Sequence, residues 1–466
     1  MTPIPCAIWT ISHRASDGAK CAPSCQIPLP SGGTTRPLFS ANIGKGMAVM
    51  SPNETFRHAA ESQRVVITGL GMVTPLGVGK EAFSERLFAG EGAVSDVTWF
   101  DTAAFPSRLA AEVKNFSPRD FISIKNLRRM DRLSLLTTAA ARLALQDAGL
   151  VVEAANRDRT GIILGTSFGP TDITAQLAEI LIMKGPPFVN PIIVPNTVMN
   201  APAGHASIEL GFRGVNTTVT QYAVSGETAL ACAVMEIRRG SADYILAGGA
   251  DILSPFYYEA LTKFRALSPL DGKPEGCRPF DKARNGAVAG EGCGLLCLES
   301  LASALKRGRR PYCEITGVGM GSSPTATMDW PHDPAGAKRT ILRALTNAGL
   351  AAGDIQAISA AANGGRILDA MEAAAYEDVF AGAEEGPWIT SLKGAIGESF
   401  SGGGMRACAL ALSVERGALP PTVGLSDPSR QLTFVRGKSK TMKIEHALLT
   451  GISFGGTYVH AIFSRY

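Results

Sequence analysis

The chain has 466 residues, is 45% hydrophobic and 18% charged, and carries a formal net charge of +4. This is enough apolar material for one large domain or two fused ones, and so small a charge, with no long basic run of interleaved aromatics, gives no support to a nucleic-acid role. Apolar runs break at Gly, Pro or charge well before the ~18 residues a membrane span needs.

Residues 1 to about 60 hold Pro3, Pro5, Pro23, Pro28, Pro30, Pro37 and Pro52 with little periodic apolar pattern, and are expected to be a disordered extension. A transit peptide and a mis-assigned start, with Met47 or Met50 as the true one, are the alternatives; a secretory signal is disfavoured because no continuous apolar stretch follows a basic start. The nine cysteines are scattered. Cys21 and Cys25 lack a second pair or a nearby histidine for zinc, so neither metal nor cofactor is expected. Cys232, Cys293, Cys297, Cys313 and Cys408 read as small buried hydrophobes in a reducing, cytoplasmic setting.

Organised sequence begins at Arg64, with a β-branched strand from Val65 to Thr68 that the following glycines end. Leu133 to Leu150 places Leu133, Leu136, Ala140, Leu143 and Ala144 on one helical face, and Arg159 to Thr166 is a short buried strand. Pro186, Pro187, Pro191, Pro195 and Pro202 make the 188–205 stretch rich in loop, a region suited to an interface or substrate wall. Thr217–Ala229 then runs from a strand through Gly226 into an Ala-rich helix, the place where an α/β enzyme commonly displays a nucleophile. No nucleophile stands there.

Three echoes recur in the same order. Val65-Val-Ile-Thr-Gly-Leu-Gly-Met72 matches Cys313-Glu-Ile-Thr-Gly-Val-Gly-Met320, Ala144–Leu150 matches Ala344–Leu350, and Tyr244–Gly249 matches Leu448–Ile452. They predict two homologous α/β halves, 64–310 and 311–466, packed as sheets sandwiched by helices.

Five segments in order carry a specific resemblance: Val65–Gly77, Leu127-Arg-Arg-Met-Asp-Arg132, Val194-Pro-Asn196 with Ala203-Gly204, Arg278–Gly292, and Ile452-Ser-Phe-Gly-Gly-Thr457. Over residues 64–466 the chain resembles the β-ketoacyl-acyl-carrier-protein synthase family, condensing enzymes of the thiolase fold. The resemblance implies an α/β, thiolase-like fold whose two homologous halves pack as αβαβα layers. It also implies a chemistry in which a cysteine thiolate takes an acyl group from a carrier protein and two histidines support decarboxylation of a malonyl-carrier substrate, whose carbanion attacks the thioester.

Carried over residue by residue, that set is degenerate. Ser225-Gly226 aligns with the pair after the nucleophile, so Ala223 replaces the cysteine; Cys232 lies more than two helical turns further on. Asp369 and Glu372 preserve the end of the first histidine motif, and the histidine position falls on Ala361 without a gap or on Asn363 with a two-residue deletion. In the third motif Lys393 is retained and Glu398 replaces histidine, which reads as a structural ion pair. Tyr222 is larger than the residue usual there and either plugs the pocket or fills space beside Ala223. Phe454, Gly455 and Gly456 keep the gate loop. The six histidines offer no replacement set, since a lone histidine at such places is more often structural; His460, just after that loop, is the one retained as a candidate to face the pocket.

Whether the chain is an enzyme is left open. The first expectation is a non-catalytic, chain-length-factor-like subunit that forms a heterodimer with an active ketoacyl synthase in fatty-acid, polyketide or polyene assembly and meets acyl carrier protein through that partner. Such partners often carry Gln at the nucleophile position, which this chain does not. The alternatives are a divergent 3-oxoacyl synthase or other acyltransferase using Glu398 or His460, and a non-catalytic homodimer that holds acyl chains or carrier proteins.

Overall fold

The computed structural model describes residues 64–382 and 385–466; the expectations for residues 1–60 lie outside them. Five strands of the first half, β1 (Val65–Thr74), β2 (Thr160–Gly165), β3 (Asn216–Val219), β4 (Tyr244–Asp251) and β5 (Gly292–Ser300), lie in the order β3-β2-β4-β5-β1. Five more, β6 (Cys313–Ser322), β7 (Ala357–Ser359), β8 (Trp388–Thr390), β9 (His446–Ser453) and β10 (Thr457–Ser464), repeat it as β8-β7-β9-β10-β6. The first three strands of each series are parallel and the remaining pairings antiparallel. The two sets join where β1 pairs with β6 at Val66↔Glu314 and Ile67↔Cys313. Each echo in the sequence falls on the same element of the two series.

Helix α1 (Arg132–Ala148) covers β1, and α3 (Ala335–Ala348) covers β6. Both end at a left-handed glycine, Gly149 (φ 57°) and Gly349 (φ 70°), as C-caps. Between the two sets of strands run α2 (Ser225–Arg238) and α5 (Gly403–Arg416), which touch each other and strands of both series; α4 (Arg366–Phe380) lies between β7 and β8 in the chain and packs on α3. This is the αβαβα layering of the thiolase-like fold.

The first strand does not stop at its glycines. β1 continues through Gly69 and Gly71 to Thr74 because these residues let the α1 backbone approach: a Cβ on Gly69 would lie 2.3 Å from Ala144 O, and one on Gly71 1.9 Å from Ala140 O. Gly317 and Gly319 of β6 meet α3 in the same way. The proline-rich stretch also differs from expectation, since its last residues open a helix, Ala201–Leu210, with Pro202 in the first turn where no intrahelical N–H is needed.

The central layer is closer still. A Cβ on Gly404 would sit 2.1 Å from Gly294 O and 2.4 Å from Gly249 N, and one on Gly226 2.9 Å from Gly404 N. Fully buried Arg406 of α5 then bonds Glu227 of α2 (2.9 Å), Ser359 O (3.0 Å) and Thr450 O, tying both central helices to β7 and β9. Gly404→Ala gains ~1 kcal/mol of helix propensity but forces backbone apart at a cost of at least ~1–3 kcal/mol. It is expected to lower the thermal midpoint, measured by circular dichroism; an unchanged or raised midpoint would contradict this packing.

Candidate functional site

The expected elbow is present. The chain leaves β3, makes a single 3₁₀ turn at Tyr222–Val224 and enters α2 at Ser225. Ser225 Oγ accepts from Gln221 N (2.8 Å) and donates to Tyr222 O (2.8 Å), which fastens the turn. Tyr222 adopts φ 48°, a left-handed conformation that costs a bulky residue about 1–3 kcal/mol. Its ring rests 4.6 Å from that of Phe454 and 6.3 Å from that of Phe168 and remains 37% exposed. Tyr222 therefore fills space against the gate loop while keeping one side open to solvent.

Ala223 is buried in an apolar group with Tyr257, Phe400 and Phe454, against which Phe168 and Trp330 pack. The rings of Phe400 and Phe454 meet edge to face at 5.7 Å, as do those of Phe168 and Phe400. The Ala223 N–H, which in a reactive elbow would be available to an oxyanion, donates to Ser453 Oγ at 3.2 Å. The gate loop turns through Gly455 (φ 78°) and Gly456 (φ 74°). A Cβ on Gly456 would lie 2.5 Å from Ser323 O, so the loop requires glycine there.

The loop expected to carry the first histidine is held rigidly without one. Glu372 accepts from Ala361 N (2.8 Å), Ala362 N (2.7 Å), Tyr376 Oη (2.6 Å) and Thr450 Oγ1 (2.6 Å). Asp369 accepts from Asn363 N (3.0 Å), Gly364 N (3.2 Å) and Phe280 N (2.7 Å). The two retained acids thus clamp the loop backbone. Of the two candidate positions, Asn363 reaches the third motif, its Nδ2 donating to Glu398 Oε2 at 2.8 Å, whereas the Ala361 methyl lies in an apolar group with Ile452 and Tyr458.

Glu398 is the centre of this polar cluster. Lys393 Nζ donates to Oε2 at 2.7 Å and Phe400 N to Oε1 at 2.9 Å, with both charged side chains almost wholly buried. A carboxylate engaged by such donors accepts hydrogen bonds and offers none to an enolate oxygen. Cys277, whose thiol donates to Lys393 O (3.1 Å) and lies 3.4 Å from Asn363 O, is no substitute nucleophile: burial pushes it up to about 12.

His460 does not enter the cluster. It lies on β10 opposite Thr450, fully buried, and neither ring nitrogen is hydrogen-bonded among the described residues. Burial, with Arg406 nearby, pushes its pKa down to about 3, so the ring is neutral near pH 7 and cannot serve there as an acid. Sequence reasoning missed the Phe168, Trp330 and Phe400 rings and the Glu227–Arg406 pair. The last had a signal, since each is followed in its helix by eight uncharged, mostly apolar residues.

Comparison with known proteins agrees with this geometry. Residues 62–304 match the family described as Beta-ketoacyl synthase, N-terminal domain, and residues 312–426 that described as Beta-ketoacyl synthase, C-terminal domain. The chain belongs to the beta-ketoacyl synthase family. A relative named 3-oxoacyl-[acyl-carrier-protein] synthase 2 from Synechocystis sp. is 32% identical over 411 residues, covering 87% of this chain and 99% of its own. One of the same name from Staphylococcus aureus is 32% identical over 414 residues with the same coverage. Among solved structures, the ishigamide ketosynthase/chain length factor superposes with a TM-score of 0.79 at 32% identity, over 86% of this chain and 99% of that one. A type II polyketide ketosynthase in complex with its acyl-carrier protein gives 0.78 at 26% over the same shares.

Glu398→Gln keeps the shape but leaves the Lys393 ammonium buried without its counter-charge, a loss of about 3–5 kcal/mol. In urea titrations this variant is expected to be far less stable than the double variant Lys393→Met/Glu398→Leu. Equal stability of the two would show that the pair is not coupled.

Proposed function

We propose that this chain is a non-catalytic, chain-length-factor-like subunit that pairs with an active ketoacyl synthase in fatty-acid or polyketide assembly. The observation that carries the reading is the joint replacement of all three reactive positions by Ala223, Ala361 or Asn363, and Glu398, with the last neutralised by Lys393. Loss of one catalytic group commonly costs up to about a millionfold in rate. Losing all of them while the elbow, clamped loop and gate glycines persist favours a role for the scaffold itself.

A partner surface supports the same reading. Most of the large hydrophobic side chains left exposed among the described residues lie between Leu181 and Phe264, including Ile182 (80% exposed), Met183, Phe188 and Phe256. Leu181, Ile182 and Met183 end a helix, Thr171–Met183, that touches the 3₁₀ turn at 186–188, which carries Phe188, the turn at 194–197, and the helix Pro255–Lys263, which carries Phe256. A patch of this kind is rare on a monomer. Strand β3, at the end of the sheet, adds an edge that pairs with no further strand among the described residues. The ketosynthase/chain-length-factor structure among the similar proteins gives the pairing a precedent, and the carrier-protein complex gives one for the substrate carrier; both come to this chain as inference. We also take the boundary between the halves at 310/311 from the repeated strand order. No helix among the described residues is long and apolar enough to cross a membrane.

The relatives named 3-oxoacyl synthases favour a second reading, a divergent condensing enzyme. Co-expression with an active ketoacyl synthase from the same genome, followed by size exclusion and mass analysis, separates the two. The expected product is a one-to-one mixed dimer that dissociates when Ile182→Asp/Phe188→Asp is introduced. A homodimer that ignores the synthase would overturn the proposal.

A further inference from the structure

We propose that four rings, Tyr222, Phe454, Phe400 and Phe168, close this chain's own pocket around Ala223 to acyl chains, and that Asp251 is the residue that positions the closure. The proposal deepens the scaffold reading and rests on it only in taking an acyl chain as the group excluded. The rings form a circuit in which each meets the next. Between centroids, Tyr222 lies 4.6 Å from Phe454, Phe454 5.7 Å from Phe400, Phe400 5.7 Å from Phe168, and Phe168 6.3 Å from Tyr222. A methylene chain passing between two rings needs a carbon about 3.5–4.0 Å from each, which sets the centroids roughly 7–8 Å apart. Every gap in the circuit is narrower. Tyr257 backs it at 4.9 Å from Phe168, and Trp330 at 5.5 Å from Phe454.

One carboxylate fastens two corners of the circuit. Buried Asp251, at the end of β4, accepts from Ser167 N (2.9 Å), beside Phe168, and from Ser401 N (2.8 Å), beside Phe400. Ser167 Oγ donates in turn to Tyr222 O (2.8 Å), and the Phe454 loop is bound through Gly455 N to Asp329 O (2.9 Å). Within this frame Tyr222 (φ 48°) and Phe400 (φ 45°) keep left-handed conformations that bulky residues avoid. Such strain persists only where the surroundings over-determine it, and it clusters at functional sites. Filling space would not require it, which marks the circuit as a closure. Tyr222 is the most exposed of the four rings and forms its outer leaf.

The test places a thiol behind the circuit. In the full chain, the variant Ala223→Cys is treated with N-ethylmaleimide, and each cysteine is followed by peptide mass spectrometry. The introduced thiol is expected to react at least about tenfold faster when Tyr222→Gly or Asp251→Asn is added, because each eases local opening. Glycine suits the left-handed backbone once the ring is gone, and an amide cannot accept from both N–H groups that the two Asp251 oxygens hold. Buried Cys408 is expected to stay unlabelled in all three variants, which separates opening of the pocket from loss of the fold. Equal rates in the three variants, labelling of Ala223→Cys alone as fast as in urea, or labelling of Cys408 in step with the introduced thiol would each overturn the proposal. Acceleration by Tyr222→Gly without acceleration by Asp251→Asn would overturn the role of Asp251. Pairing with a synthase is read separately by size exclusion, so a failure of either result leaves the other standing.

Discussion

The structure depends on a contact between backbones rather than between side chains. At the middle of the molecule Gly226, Gly249, Gly294 and Gly404 bring the first turns of both central helices against β4 and β5 at distances no Cβ could tolerate. Dispersion between such closely apposed chains is strong because interiors are packed to crystal density. The geometric consequence matters more. With the helix starts locked together, the 221–224 turn leading into α2 and the 398–401 segment leading into α5 become neighbours, as the 2.9 Å contact between Ser167 Oγ and Ser401 Oγ beside Tyr222 O records. Arg406 and Glu227 reinforce the node with a charge pair that is costly to bury and costlier to break.

On the proposed non-catalytic reading, that architecture is what lets form stay without the reaction. In this chain the groups that shape the site are main-chain turns, their glycines, and the acids Asp369 and Glu372 that bind loop N–H groups. The groups that react project from them and can be changed one by one. The residues present suit their surroundings: the Ala223 methyl lies among aromatic rings, and the Glu398 carboxylate meets a buried ammonium and an amide. The resulting site is internally satisfied, with the Ala223 N–H occupied by Ser453 and the Glu398 carboxylate by three donors.

Much of this was legible from residues alone. Periodicity and capping glycines located α1 and β2, and the repeated Thr-Gly-x-Gly-Met strands announced a duplicated order of strands. The glycines were visible, but their purpose was not: in sequence Gly69 and Gly71 look like breakers, and only the helix lying on them turns them into contact points. At the site the Lys393–Glu398 pair follows from opposite charges five residues apart in an apolar setting. Asn363 reaching Glu398 does not, because that contact spans two loops whose approach is set by the fold. The aromatic shell around Ala223 is assembled from residues 168 to 454, and nothing local marks Phe168, Trp330 or Phe400 as its members.

The decisive property is whether this chain can generate a carbanion from a malonyl thioester. The direct measurement is carbon dioxide release from malonyl-carrier protein by the purified chain alone, beside an active synthase and beside the mixed dimer. Background release is expected from the chain alone, and release by the mixed dimer is expected to belong to the partner. Release by the chain alone at a rate near that of the active synthase, abolished by Glu398→Gln, would contradict this.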